Sequence, residues 1–399
     1  MPVLRFPHAL DVPKVEMAQA EPPPITEVNE MRAAVLTKFG EPLEIQHVPD
    51  PEPGGGEVTV EVLATCVLPY AQEVFSGERN YPLEPPVIPG LGGVGRVVES
   101  GPDATRLRVG DLVWCDATVR SRDDALTPDI ALQGWSSRGE GGMRLSRHLH
   151  DGSFAEFMRV PTENVYQLPP AAGEDPARWA AVAVHTVAYG GLLAAGLQAG
   201  ETLLVSGATG NFGSSAVAVG LAMGAGRVIA PGRNRAVLDL LTDRFGPRVR
   251  TVVLSGAEDA DRLAMAAAAD GPIDVVLDLL PPQAPASAAR AAAMTVREYG
   301  RVVLMGGVGM LGGEDLALPY PWIMRNSVTV RGQWMFQRPA NVGMIQLVDA
   351  GLLDLAPEQV TTFGLDEINE AIAFAAAHPG PFVRTILTPN DPHSARREH

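Results

Sequence analysis

Cysteine is almost absent from this chain: Cys66 and Cys115 are the only two in 399 residues. Two thiols cannot build a disulfide framework or a four-cysteine metal site. No uninterrupted apolar stretch approaches the about 20 residues that a membrane-spanning helix needs. The N-terminal residues lack the basic-then-apolar order of a signal peptide, so the expected compartment is the cytoplasm. Basic residues are also outnumbered. Lys and Arg total 31 against 47 Asp and Glu, a net charge of −16. A polyanion would be repelled by such a surface rather than shed counterions onto it, which excludes nucleic acid as the expected partner. What remains is ordinary for a globular enzyme, with 46% hydrophobic and 20% charged residues. The length allows two domains.

The texture changes along the chain. Residues 1–30 contain Pro22-Pro23-Pro24 and several acids without periodicity, and are expected to form an N-terminal arm. From Met31 onward, short strand patterns alternate with proline and glycine turns: Arg32 to Leu36, Leu43 to Ile45, Glu57 to Leu63, Gly93 to Glu99, and Val109 to Trp114. Such spacing predicts a small, partly open barrel over 31–180. Beyond about residue 178, alanine-rich helical stretches alternate with apolar strands at 202–206, 227–230, 251–254, 273–280 and 300–306, with a sixth at 328–332. This alternation predicts a doubly wound α/β parallel sheet over 181–334. The segment 335–399, with a final strand at Val383 to Leu387, returns to the barrel texture and is expected to complete the first domain, fraying over Asn390 to His399.

The segment most informative about chemistry follows the first of those parallel strands. Gly207 leads into Ala208, Thr209, Gly210, Asn211, Phe212 and Gly213, and a small-residue helical pattern follows from Ser214 to Met223. Strand, glycine turn and helix is the setting in which a dinucleotide pyrophosphate binds. Gly210 allows close approach of backbone to phosphate, Gly213 lets helix pack on strand, and the helix N-terminus offers free N–H groups. The next strand runs into Gly232, Arg233, Asn234 and Arg235. An NAD site carries an acid there to accept from the ribose 2′-hydroxyl. Gly232 followed by two guanidiniums instead suits a 2′-phosphate, which predicts NADP(H).

The order of these parts resembles the medium-chain dehydrogenase/reductase superfamily across about residues 31–389. The resemblance is carried by Met31-Arg32-Ala33-Ala34-Val35, Pro89-Gly90 with Gly95-Arg96-Val97-Val98, Val109-Gly110-Asp111-Leu112-Val113, Gly152-Ser153-Phe154-Ala155-Glu156-Phe157, the glycine turn, Asp274-Val275-Val276-Leu277-Asp278, and Gly300-Arg301-Val302-Val303. It implies a GroES-like barrel domain, a Rossmann domain, an active site in the cleft between them, and homodimers or tetramers joined through the last Rossmann strand. It further implies that Thr186 approaches the nicotinamide amide and that Met305, Gly306 and Gly307 pass beneath the nicotinamide ring.

Departures from the zinc-dependent members are expected to matter. Where those carry a C-x-x-D word, this chain has Cys66-Val67-Leu68-Pro69. Their G-H-E becomes Gly90-Leu91-Gly92, and their later cysteine falls near Val182. One thiol cannot replace about three protein ligands, so no metal is expected, and His185 is expected to line the cleft or sit in the core. The lobe 116–150, with Trp135, His148 and His150, is expected to border the substrate cleft or a subunit contact rather than hold structural zinc. Without a Lewis acid, hydride transfer is best matched by an acceptor that delocalises its own charge, an α,β-unsaturated carbonyl or a quinone. This points to the zinc-independent quinone oxidoreductase and enone reductase branch. Tyr70 and Tyr81 are the candidate proton donors, each with an alternative as an aromatic wall. Trp334, Met335 and Phe336 are expected to wall the substrate or to pack at a subunit interface. Two other readings stay open: an alcohol or ketone dehydrogenase of the same type without catalytic zinc, and a low-turnover cofactor-binding protein.

Overall fold

The structure is a computed structural model that describes residues 29–124 and 126–391. Nearly all of the expected N-terminal arm, and the expected fraying after Asp391, lie outside the described residues.

The second half of the chain builds a six-stranded parallel sheet. Thr202–Ser206 is central, flanked on one side by Arg227–Gly232 and Val249–Val253, and on the other by Ile273–Asp278, Val296–Leu304 and Thr329–Gly332. Parallel strands covered on both faces must be apolar on both. Leu203 and Val205 accordingly enter the core shared with the helices Val182–Ala195 and Asn211–Ala222. Leu204 points the other way, toward Met265 and Ala291. The order reverses beside the central strand, and so leaves a crevice at the carboxyl ends of Thr202–Ser206 and Ile273–Asp278.

The first half forms a partly open barrel around the long strand Glu57–Val67. This strand pairs with Gly93–Ser100, with Phe157–Pro161, and with the C-terminal strand Val383–Thr388, to which Gln359–Gly364 is added in parallel. The last part of the chain thus closes the sheet begun by the first. Two side-chain bonds tie that closing strand to the helix after the glycine turn: Asn211 Nδ2 donates to the Val383 carbonyl at 3.0 Å, and Arg384 Nη2 donates to Ser215 Oγ at 2.8 Å.

Three departures of element boundaries from the sequence expectation bear on the site. The strand expected to stop at Leu63 continues to Val67, because its inward alternation of Val58, Val60 and Val62 carries on through Ala64 and Cys66, all buried. Cys66 is therefore a strand residue rather than a loop ligand. The strand expected at 300–306 is Val296–Leu304, so Met305, Gly306 and Gly307 follow the strand. The helix expected from Ser214 begins at Asn211, directly on the glycine turn.

The lobe after Cys115 contains a small sheet of Thr118–Arg120, Ile130–Leu132 and Ser136–Ser137 and the helix Gly139–His148. Trp135, only 1% exposed, leans from it against Tyr70 and Phe75, with ring centroids 6.0 and 5.3 Å apart. Arg138 lies over the Trp334 ring, and Arg120 donates to the Phe336 carbonyl, so the lobe touches the segment that follows the last parallel strand.

Candidate functional site

The glycine turn is built by contacts that only glycine permits. Gly207 takes φ +86° and sits against Leu279; a Cβ on Gly213 would strike the Gly207 carbonyl. Gly210 is extended and caps Asn211–Ala222 without a side chain. An added Cβ there would find only the Gly207 oxygen, at 3.5 Å. Its open side and the uncapped first-turn N–H groups are what an anionic pyrophosphate requires. Ala208 is buried. Asn211 and Phe212 face the barrel half with their side chains, Asn211 through Val383 and Phe212 through Tyr70, so any contact they make with a phosphate is through backbone.

The end of the neighbouring strand is shaped for cofactor choice. A Cβ on Gly232 would collide with the Thr209 methyl group, so an acidic side chain at that position would require Thr209 to move. Arg233 and Arg235 are both exposed, and among the described residues neither has an ion-pair partner. Asn234 does different work: its side chain caps Arg235–Phe245 by accepting from the Ala236 and Val237 amides. The cap fixes the helix start, and with it the two flanking arginines.

Across the crevice, Gly306 and Gly307 press on Asp278 and Pro282, where a Cβ would come within 2.6 and 2.7 Å. Met305 is half-buried against Gly191. Asp278, at the end of its strand, is 4% exposed, and its Oδ1 has no hydrogen-bond partner among the described residues. Burial pushes its carboxyl up to about 6, against the Ser206 hydroxyl and the Leu280 amide, which pull it down.

On the barrel side, Tyr70 occupies the junction. Its ring lies 6.4 Å from Phe212, 6.0 Å from Trp135, and 4.1 Å beneath the Arg79 guanidinium. Burial raises its phenol, with nearby Tyr81 adding to the effect and Arg79 opposing it. Tyr81 is half-buried and packs on the same cluster. Thr186 does not share this geometry. It is fully buried and donates its hydroxyl to the Val182 carbonyl at 2.8 Å, inside its own helix. Phe336 is buried and its backbone and Cβ abut Gly190, Met335 joins the barrel cluster, and Trp334 is 40% exposed.

The cysteine and histidine side chains near the expected zinc positions do not converge on one site. The Cys66 thiol donates to the Ala180 carbonyl at 3.1 Å, and burial pushes it up to about 12. His185 is buried with its Nε2 3.1 Å from Glu358 Oε1, and burial holds it below its ordinary range. His148 reaches Glu57 at 3.2 Å, while His150 bonds Asp151 at 2.9 Å. Among the described residues no group of three or more His, Cys, Asp or Glu side chains is placed to hold a metal ion.

Sequence reasoning gave no role to Glu358, Arg384 or Arg79. Glu358 and His185 are 173 residues apart, and no local pattern links them. Arg79 lies close to Tyr70 in the chain, but its position over the ring follows from the intervening turn.

Comparison with known proteins agrees with this architecture. Residues 54–170 match the alcohol dehydrogenase GroES-like domain. An alcohol dehydrogenase of Rhizobium meliloti (strain 1021) is 36% identical over 197 residues, covering 49% of this chain and 55% of that one. An acryloyl-coenzyme A reductase of Metallosphaera sedula is 32% identical over 196 residues, covering 49% and 57%. The chain thus spans a little over half the length of these two relatives. The structure of a thermostable alcohol dehydrogenase from Pyrobaculum aerophilum superposes with a TM-score of 0.70 at 23% identity, over 90% of this chain and 100% of that one, which establishes the shared fold. Residues 54–170 thus carry the sequence match to the GroES-like domain, and the two-part architecture is the fold of the solved alcohol dehydrogenases.

Proposed function

We propose that this chain is an NADPH-dependent oxidoreductase that delivers hydride to an α,β-unsaturated carbonyl or a quinone without help from a metal. The observation that carries the cofactor choice is the contact between Thr209 and Gly232, which leaves an acid no room at the ribose position unless Thr209 moves, beside two unpaired arginines. Bound NADPH would supply the hydride. The residues that would hold it are the turn Ala208 to Gly213, Gly232 to Arg235, and Met305 to Gly307. The protein's own task is to orient the acceptor over the crevice and to protonate the charge that hydride transfer leaves on it. Tyr70, Tyr81, Leu91, Phe212 and Met335, partly buried and packed on the barrel core, give this junction an aromatic and apolar character that suits an acceptor itself largely apolar. Tyr70, placed where the barrel meets the cofactor helix, is the proton donor in this reading. The separate commitments of Cys66 and His185 argue against a Lewis acid in the pocket. The relative from Metallosphaera sedula, whose named substrate is a conjugated thioester, favours the same class of acceptor.

The test is an NADPH-oxidation screen in which enones, quinones and simple ketones are offered side by side, with metal analysis of the same sample. Turnover confined to conjugated acceptors in metal-free protein is the expected result. Stoichiometric zinc, with alcohol turnover lost to a chelator, would move the chain to the alcohol dehydrogenase reading. No oxidation with any acceptor would favour a cofactor-binding protein of low turnover.

A homodimer is proposed as well. Thr329–Gly332 is the last strand of the parallel sheet, its outer edge unpaired among the described residues, and Tyr299, Tyr320 and Met324 are exposed large apolar side chains on neighbouring segments. Pairing of two such edges across a two-fold axis would cover them. Sedimentation or light scattering at several concentrations would detect it.

A further inference from the structure

The short stretch from Tyr70 to Tyr81 folds back on itself in a way that the cofactor site does not explain. Tyr70 starts the helix Ala71–Phe75, and the chain then turns through Gly77, at φ +87°. Arg79 returns over its starting point, its amide donating to the Glu73 carbonyl at 3.1 Å and its Nε to Glu73 Oε2 at 2.9 Å. The side chain is only 11% exposed, and its guanidinium carbon lies 4.1 Å from the centroid of the Tyr70 ring. A long, rotamer-rich cation is thereby fixed in one place by two bonds to one residue, flat against a phenol. The other groups that bear on that phenol are Tyr81 and Glu73, which disfavour its anion, and Trp135, which favours it.

We infer that Arg79 is a positioning residue for proton transfer: clamped by Glu73 over the face of Tyr70, it holds that phenol ready to give its proton to the reduced acceptor. This rests on the hydride-transfer reading above. Bound NADPH would supply a hydride to the β-carbon of the acceptor and leave as NADP+. The electron pair of the carbon–carbon double bond shifts to give an enolate. The O–H bond of Tyr70 then breaks, its proton joins the enolate, and the tyrosinate is reprotonated by water. A cation over an aromatic face favours the anionic form of the ring, most strongly where water is excluded. Arg79 therefore offsets part of the burial that keeps this phenol protonated. Among the groups that bear on the phenol Arg79 alone is cationic, so the counter-charge in this aromatic setting is its own.

The experiment uses the full chain with the more acidic 3,5-difluorotyrosine placed at position 70, so that an ionisation raised by burial can still be followed by absorbance on a folded protein. It is compared in the parent, Arg79→Met and Arg79→Lys. Arg79→Met should raise the ionisation midpoint by about one pH unit, equivalent to about tenfold in the equilibrium, and Arg79→Lys should restore part of it. In parallel, with natural tyrosine at position 70, kcat for NADPH oxidation with 2-cyclohexenone and with 1,4-benzoquinone should fall about tenfold in Arg79→Met, with the KM for NADPH unchanged. An unmoved midpoint would overturn the inference whatever the rates do. A moved midpoint with an unchanged kcat would overturn its catalytic part. If no acceptor is reduced by the parent, the hydride-transfer reading fails, and the titration still decides whether Arg79 sets the state of the phenol. Should Arg79→Met not fold, Arg79→Gln, which can still hydrogen-bond Glu73, makes the same comparison.

Discussion

Thr209 and Gly232 belong to different strand–helix turns, yet the methyl group of one fills the space where a side chain of the other would begin. Cofactor choice is therefore written in a pair of residues rather than in one. Gly232→Asp alone should not create an NADH enzyme; it should lower affinity for both coenzymes and reduce stability, because the new Cβ has no room. Thr209→Gly combined with Gly232→Asp should accept the acid and move the preference toward NADH. Steady-state KM values for both coenzymes in the single and double variants decide this, and an NADH-preferring single variant would sink the steric argument.

The two unpaired arginines next to that pair make a second prediction. Arg233→Ala should raise the KM for NADPH by tenfold or more, in line with the ~1.5–3 kcal/mol of a hydrogen bond to a charged group, and leave the KM for NADH nearly unchanged. Arg235→Ala should act in the same direction. Equal loss with both coenzymes would mean that neither guanidinium meets a 2′-phosphate.

The glycine turn separates folding from binding. Gly213→Ala forces a methyl group into the Gly207 carbonyl, whereas Gly210→Ala meets that oxygen only at an ordinary 3.5 Å. Gly213→Ala should lower the thermal midpoint markedly. Gly210→Ala should leave the midpoint within a few degrees yet weaken NADPH binding, because its methyl group occupies the side from which a phosphate approaches. Thermal melts and fluorescence titration with NADPH read the two effects independently. A Gly210→Ala protein that binds NADPH as before would remove the turn from the cofactor site.

These contrasts also explain what could be read from the chain. The parallel sheet and the glycine turn were legible because each depends on local pattern: apolar runs at regular spacing, and glycines where backbone meets backbone. The true end of the strand at Val67 was present in the alternation from Val58 to Cys66, but a family-like cysteine word obscured it. The Arg233 and Arg235 pair was visible, whereas the obstacle to an acid at Gly232 was not, since Thr209 is brought there only by the fold. Thr186 shows the converse. Its position in the sequence suggested a cofactor contact, but the bond its hydroxyl donates to the Val182 carbonyl is set by the helix and had no signal in the chain. Glu358, Arg384 and His185 could not be grouped from sequence at all, because burial creates their relationship.

Asp278 gives the pH dependence of stability a definite sign. Its carboxyl is shifted up to about 6 in the folded chain, against about 3.9 when unfolded. The folded state therefore binds the extra proton between these values, and the stabilisation is fully present below about pH 4 and lost as pH rises through 6. The shift corresponds to roughly 3 kcal/mol at most. Asp278→Asn should abolish this part of the dependence, so the variant should gain stability relative to the parent at pH 7.5 compared with pH 4.5. Urea unfolding at both values tests it. A parent whose carboxyl titrates near 4, or a variant with an unchanged pH profile, would show that the group is better solvated than its burial implies.

The buried cluster at Glu358 makes the strongest stability prediction. Glu358 Oε2 lies 3.0 Å from Arg384 Nε, Oε1 lies 3.1 Å from His185 Nε2, and Arg244 approaches to 4.0 Å. Burial pushes the carboxyl up, but Arg384, His185 and Arg244 outweigh it and leave it below its ordinary value. Two guanidiniums, one fully buried, thus depend on a single carboxylate. Glu358→Gln leaves them facing each other without compensation and should cost ~3–5 kcal/mol, the range for breaking a buried ion pair from one side. Removing the buried cation as well should recover much of that loss, so Glu358→Gln with Arg384→Met should be more stable than Glu358→Gln alone. The comparison is made by urea unfolding of the three variants, including Arg384→Met, as a double-mutant cycle. Additive losses would show that the charges do not depend on one another. A coupling of several kcal/mol would establish that this cluster joins the C-terminal strand to the helices of the parallel sheet, since Arg384 also donates to Ser215 on the helix that opens at the glycine turn.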